Sequence, residues 1–235
     1  MIQSNGRGKE VLKLDEKNEV IVRFTDQATA FNDVKRANVP GKGAVTNAIA
    51  THIFEYLEQN GIKTHFIKKL NNTEQLCHKV DLIRLNVVVR NVASGSMAKR
   101  LGLEEGYVVP KTIYEIFYKN SELGHPLINE DHALALKLSN VTELLEIRAL
   151  SLKINALLKQ FFADIDIMLV DFKIEFGRLP NGDLLLADEI SPDKSRLWDM
   201  RTGAHLDKDH FSRDLGDVKE AYEQILTRIV DKGVV

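Results

Sequence analysis

Of 235 residues, 44% are hydrophobic and 28% charged, and the formal net charge is −2. Such a chain can bury one large core or two lobes, and its near-neutral balance excludes a general nucleic-acid binder held by charge alone. A single cysteine, Cys77, excludes an intrachain disulfide, and no apolar run approaches the roughly 20 residues of a membrane span. The polar start, MIQSNGRGKEVLKLDEKNE, lacks the apolar stretch of a secretory signal, so a cytoplasmic protein is expected.

Gly6-Arg7-Gly8-Lys9 opens into Val11–Leu14, and Asp15–Glu19 turns the chain into Val20–Phe24, which predicts a hairpin entered through a glycine-containing basic loop. Glycine lets a backbone approach a phosphate closely, and Lys9 supplies a point charge. The spacing is not that of a Walker A loop. Pro40-Gly41-Lys42-Gly43 precedes a helix in which Val45, Ile49, Ile53, Tyr56 and Leu57 recur at helical spacing until Asn60-Gly61. Lys42, near that helix start, could meet an anion. Ile62–Leu70 and Leu76–Val92 read as further strands. The first ninety or so residues therefore predict an antiparallel sheet with one long helix. That plan resembles the nucleotide-covering lobe of a kinase or ATP-grasp protein, with Asp81-Leu82-Ile83-Arg84 as the candidate adenine-contacting hinge.

Arg90-Asn91-Val92-Ala93-Ser94-Gly95-Ser96 leads into a short helix, Met97–Leu101, stopped by Gly102. Small hydroxyl residues and free amides beside an arginine suit a phosphate. Lys111–Tyr118 is predicted as a helix, and the loop from His125 to His132 as the start of another. The histidines lack the spacing of a zinc site. A long helix from Thr142 to Phe162 is predicted to bury Leu145, Ala149, Leu152 and Ala156, with Leu157, Phe161 and Phe162 widening the stripe. The last helix should bury Val218, Tyr222, Ile225 and Ile229.

Between the two long helices lies LVDFKIEFGRLPNGDLLLADEISPDKSRLWD, residues 169–199. It predicts two strands, Leu169–Phe176 and Leu184–Ile190, joined at Pro180-Asn181-Gly182-Asp183, residues that suit a tight turn. Alternation puts Asp171, Lys173 and Glu175 on one face. The returning strand brings Asp188 roughly across from Lys173 or Glu175. Three carboxylates and an ammonium on one patch repel unless a cation joins them, and a divalent metal carrying a phosphorylated ligand is the simplest candidate.

VVVRNVASGSMAKRLGLEEG (residues 87–106), LVDFKIEFG (169–177), LADEISPDKSRLWD (186–199) and DKDHFSRDLG (207–216) together resemble the SAICAR synthetase family. The GRGK loop and the stretch from FTDQATAFN to PGKGAVTN are similar too. The resemblance runs in the family's order over nearly the whole chain.

It implies a two-lobed α+β fold with an ATP-binding cleft between the lobes. Residues 1–85 would form an ATP-covering lobe, and residues 86–235 a substrate- and metal-binding lobe. The implied activity joins carboxyaminoimidazole ribotide (CAIR) to L-aspartate with ATP, giving SAICAR, ADP and phosphate in purine biosynthesis. A small-molecule kinase with a similar ATP site is the alternative. The resemblance assigns Lys9, in the loop with Arg7 and Gly8, to the ATP phosphates, and Glu175 and Asp188 to Mg2+; Leu82, Ile83 and Arg84 of the candidate hinge complete the expected ATP site. Lys173 and Asp171 would face the reacting carboxylate, while Arg90, Ser96, Asp193 and Arg196 would hold CAIR. The Asn129–His132 loop and the Lys208–Arg213 segment are candidates for L-aspartate, and a homodimer is expected. GRGK stands where the family commonly has GKAK, and GHPLIN lacks an acid that many members carry.

Overall fold

The computed structural model describes residues 2–6, 8–14, 18–30, 35–212 and 217–233. The first part of the chain runs β1 (Ile2–Gly6), β2 (Lys9–Lys13), β3 (Glu19–Phe24), β4 (Gln27–Ala30), β5 (Lys35–Asn38), α1 (Lys42–Gln59), β6 (Phe66–Lys69) and β7 (Glu74–His78). After β8 (Asp81–Leu82) and β9 (Leu85–Val92) come α2 (Gly95–Leu101), β10 (Val108–Tyr118), β11 (Leu127–Ile128), α3 (Glu130–Ala135) and α4 (Val141–Ala163). The rest comprises β12 (Ile167–Arg178), β13 (Leu184–Ala187), β14 (Ser195–Asp199), α5 (Asp209–Ser212) and α6 (Val218–Lys232). The architecture is α+β. No described helix is long and apolar enough to cross a membrane.

An antiparallel sheet of order β1-β2-β3-β7-β6 covers one side of α1, and β4 and β5 form a separate ribbon. The second sheet runs β11-β10-β9-β12-β13, with β14 and β8 also on β12. β12 is its hub. Its first half pairs with β14 and β9, and its last residues pair with β13 and β8. Neighbours on both edges explain why a strand carrying Asp171, Lys173 and Glu175 is buried along nearly its whole length.

α1 lies between the sheets. Ala50 packs with Val20, Val22, Phe24 and Cys77, while Ile49, Ile53, Phe54 and Leu57 join the main core of β9, β12, α4 and α6. The Cys77 thiol is buried, and burial pushes it up to about 12. Helix starts follow local chemistry: Asn129 and Asn140 close capping boxes on α3 and α4. The predicted α6 stripe of Val218, Tyr222, Ile225 and Ile229 is buried.

Several expectations differ from the structure. Lys111–Tyr118 is not a helix but most of β10. Val108, Val109, Thr112, Ile113 and Ile116 are β-branched and Tyr114, Phe117 and Tyr118 aromatic, so they suit a pleated surface, and β9 supplies the ladder. The buried stripe of α4 is Leu144, Ile147, Ser151, Ile154, Asn155, Leu158, Phe161 and Phe162, whereas Leu145, Ala149, Leu152 and Ala156 are exposed. Leucines occur on both sides of this helix, so spacing alone fitted two stripes. Leu76–Val92 divides into β7, β8 and β9 because the chain crosses from one sheet to the other there. The polar N-terminus adds β1, which pairs with β2 across the GRGK turn.

Candidate active site

The β12–β13 hairpin forms as its turn residues and alternation require, but with a refinement that matters for chemistry. Glu175 faces Ala187 across the ladder, and Asp188 lies one residue beyond β13. An extended Asp188 would project with Leu186, on the face opposite Glu175. Instead Asp188 takes a left-handed backbone, φ 68°, which breaks the alternation and lets its carboxylate join the Glu175 side. For a non-glycine residue this conformation costs on the order of 1–3 kcal/mol.

Lys173 Nζ lies 2.8 Å from Glu175 Oε1 and 3.6 Å from Asp188 Oδ2. The other Glu175 oxygen takes Lys119, from just past β10. Lys9 pairs with Asp188 and lies 3.5 Å from Glu189. Lys194 completes the group at 3.7 Å from Asp188 Oδ2. Burial alone would raise Glu175, but Lys173 and Lys119 outweigh it and hold its carboxyl well below the usual carboxylate range. Burial, with Lys194 nearby, pushes the Lys173 ammonium down to about 7 against the pull of Glu175. Asp188 Oδ2 is buried and accepts no hydrogen bond. Carboxylate oxygens of Glu175 and Asp188, one of them facing two lysines without a hydrogen bond to either, suit a hard divalent cation such as magnesium.

A second group forms where β9 and β14 flank the start of β12. Arg90 and Arg196 both donate to Asp171 Oδ2, at 2.9 and 2.8 Å. Glu115 holds the far side of Arg90 at 2.6 Å, and Asp209 holds Arg196 at 2.9 Å. Ser96 Oγ is 3.5 Å from Arg90. Gly95, φ 55°, is required here because a Cβ would lie 2.6 Å from the Arg196 guanidinium. Lys208, Asp207 and Asp209 surround the same arginine. Burial, with Asp209 beside it, pushes the Asp207 carboxyl up to about 7.

Asp193 belongs to a third group. Its carboxylate takes Lys42 on one oxygen and the Tyr222 hydroxyl, at 2.7 Å, on the other. Lys42 is only 1% exposed and lies 5.5 Å over the Tyr222 ring. Gly8, φ 77°, packs against this pair: a Cβ there would be 3.5 Å from Asp193 and 3.8 Å from Lys42.

Lys173, Glu175, Asp188 and Lys9 are therefore brought together, as are Arg90, Ser96 and Arg196. Asp171 is drawn to the arginines, and Asp193 to Lys42 and Tyr222. Leu82 is exposed and Ile83 buried, with its amide on Phe176 O at 2.9 Å; Arg84 lies 5.7 Å over the Tyr118 ring. Arg7 and Arg213 fall outside the described residues. Asn129 and His132 satisfy each other as a helix cap. Sequence reading left Lys119 and Tyr222 without site roles. No local pattern marks Lys119, and the spacing of Tyr222 marked it only as core. Glu189 and Lys194 stood in the quoted DEISPDK stretch.

Known proteins show the same arrangement of chain. The SAICAR synthetase family model matches residues 2–229. A phosphoribosylaminoimidazole-succinocarboxamide synthase of Clostridium botulinum is 54% identical over 95% of this chain and 95% of its own length. The crystal structure of the corresponding synthase from Ehrlichia chaffeensis superimposes with a TM-score of 0.95 at 42% identity, covering 97% of this chain and 98% of that one. A SAICAR synthetase in complex with ADP gives a TM-score of 0.93 at 46% identity, with 96% of each chain covered. On sequence and fold alike, the chain belongs to the SAICAR synthetase family.

Proposed function

We infer that the lysine–carboxylate cluster on β12 and its hairpin is where this ATP-dependent, SAICAR-forming ligase of purine biosynthesis seats the terminal phosphates of its nucleotide. The observation carrying this reading is the convergence of Lys9, Lys119, Lys173 and Lys194 on Glu175, Asp188 and Glu189. A fully cationic pocket would bind anions without distinction. Lysines interleaved with carboxylates provide for phosphate and for a metal bound with it. Glu175 and Asp188 would hold magnesium, which would neutralise phosphoryl charge when bound.

A carboxylate acylates poorly. In the proposed reaction the γ-phosphoryl group passes from ATP to a carboxylate oxygen of CAIR, releasing ADP. The amine of L-aspartate then attacks the acyl carbon, loses a proton and expels phosphate. The protein's work is positioning and charge stabilisation. Lys9 would bind the ATP phosphates under the Gly8 turn, with the strand around Leu82, Ile83 and Arg84 beside the base. Lys173 would face the reacting carboxylate. Asp171 would act differently from the role the sequence suggested, holding Arg90 and Arg196 together for the ribotide phosphate. Asp193, fixed by Lys42 and Tyr222, would meet ribotide hydroxyls, and Lys208 is available for a carboxylate of L-aspartate. On this reading residues 1–85 cover the nucleotide and residues 86–235 carry substrates and metal, in a cytoplasmic homodimer.

An ADP-release assay with CAIR and L-aspartate omitted in turn tests the proposal. Release of phosphate only when both are present is expected. A stable phosphorylated acceptor formed without L-aspartate would instead identify a kinase.

A further inference from the structure

We infer that His65 is a positioning residue for Asp188, holding its backbone in the left-handed conformation that aims the carboxylate at the lysine cluster. The inference rests on the proposed role of Asp188 at magnesium.

His65 reaches Asp188 across the two parts of the chain. Residues 63–65 add themselves to the free edge of β13: Leu186 N donates to Lys63 O at 3.0 Å and His65 N to Leu186 O at 2.8 Å. The backbone contact stops there, because β13 ends at Ala187. The His65 ring continues it, with Nε2 2.8 Å from the Asp188 carbonyl oxygen. A carbonyl only accepts, so Nε2 carries the proton and donates. The ring is buried and meets Phe54 of α1 edge-on, with centroids 5.6 Å apart. A rigid donor thus satisfies the carbonyl whose direction is set when Asp188 turns to φ 68°.

Relaxing that turn would return Asp188 to the strand alternation and move its carboxylate toward the Leu186 face. Among the described hydrogen bonds, the His65 side chain reaches neither the Asp188 carboxylate nor a cluster lysine, so its effect passes through the backbone of Asp188. Groups that orient metal-binding side chains commonly alter metal affinity by about 10–100-fold when removed.

Three variants separate this role from simple packing. In His65→Gln the side-chain amide can reach the position of Nε2; His65→Asn is too short; His65→Leu has no donor. ADP affinity is measured by equilibrium titration with saturating magnesium and with a chelator, alongside thermal unfolding. The ratio of the two affinities should fall by about tenfold in His65→Asn and His65→Leu and stay near wild type in His65→Gln. Metal-free ADP binding should change by less than about twofold in all three. Should His65→Leu fail to fold, the Gln and Asn pair decides the matter. An unchanged ratio in His65→Asn, or equal losses with and without magnesium, would overturn the inference. Asp188→Asn serves as the control. If it abolishes the magnesium effect while His65→Asn preserves it, only the positioning role falls; if it preserves the effect, the metal reading falls as well.

Discussion

Arg90 and Arg196 meet on a single atom, Asp171 Oδ2, one from each strand flanking β12. Two guanidinium groups held side by side by a buried carboxylate present their remaining donors as a unit, the geometry that suits a phosphate. Arg196→Ala should raise the KM for CAIR by about 10–100-fold, the value of a lost charge-assisted hydrogen bond, while the KM for ATP moves by less than about threefold. Steady-state kinetics with each substrate varied measures this directly. Equal effects on the two substrates would contradict the assignment.

Glu175 sits between Lys119 and Lys173, both of which retain some solvent contact. Glu175→Gln removes the negative charge proposed to bind magnesium but leaves two lysines that already reach solvent. Turnover at saturating substrates should drop by on the order of 10²-fold or more. The far-UV circular dichroism should match wild type. Wild-type turnover would refute the metal assignment.

Tyr222 is the only described hydroxyl that donates to the Asp193 carboxylate, yet Lys42 also holds that carboxylate. Tyr222→Phe should therefore loosen Asp193 without freeing it. A rise of about tenfold in the KM for CAIR, with unchanged ADP affinity, is expected from one hydrogen bond to a charged acceptor. A titration in which ADP binding weakens equally would place Asp193 on the nucleotide side.

Away from the site, Glu143 receives Arg178 on both oxygens and also caps α4. The Arg178 hydrogen bond, only partly opposed by burial, holds the Glu143 carboxyl down to about 2. A carboxyl depressed on folding stabilises the protein above its unfolded value of 4.5 and loses that contribution as pH falls through 2. Screening at this partly exposed position limits the effect to about 1–2 kcal/mol. Glu143→Gln should lower stability by that amount at pH 7, with the gap from wild type closing between about pH 4.5 and 2 in denaturant titrations. A pH-independent gap would show that the lost cap, and not the ion pair, is responsible.

The hairpin was legible because its information is local: alternating charge, a Pro-Asn-Gly-Asp turn, and a dense polar run after an apolar strand. β10 was not, since Ile113, Ile116 and Phe117 satisfy helical spacing as well as they satisfy a strand. Only the ladder with β9 decides between them. The same ambiguity misplaced the stripe on α4, where Leu145 and Leu152 mimic a buried face. Lys42 was noticed as an anion-seeking residue, but its partner Asp193 stands 151 positions later. Lys119 has no sequence signal at all; it becomes meaningful only when β10, β9 and β12 lie side by side. The left-handed turn at Asp188 was equally hidden, because an Asp after an apolar strand carries no mark of its backbone angle.

The link from Tyr222 to Asp193 gives the final helix a part in assembly. A chain emerging from the ribosome could pair β12 with β13 and gather every lysine of the cluster while residue 222 was still unmade. Of the two described side chains that hold the Asp193 carboxylate, Lys42 alone would then be in place. Full competence would arrive late, with the docking of α6. Because Tyr222, Ile225 and Ile229 also close the main core, the same docking that steadies Asp193 completes the fold, so the last helix ties the order of assembly to the readiness of the site.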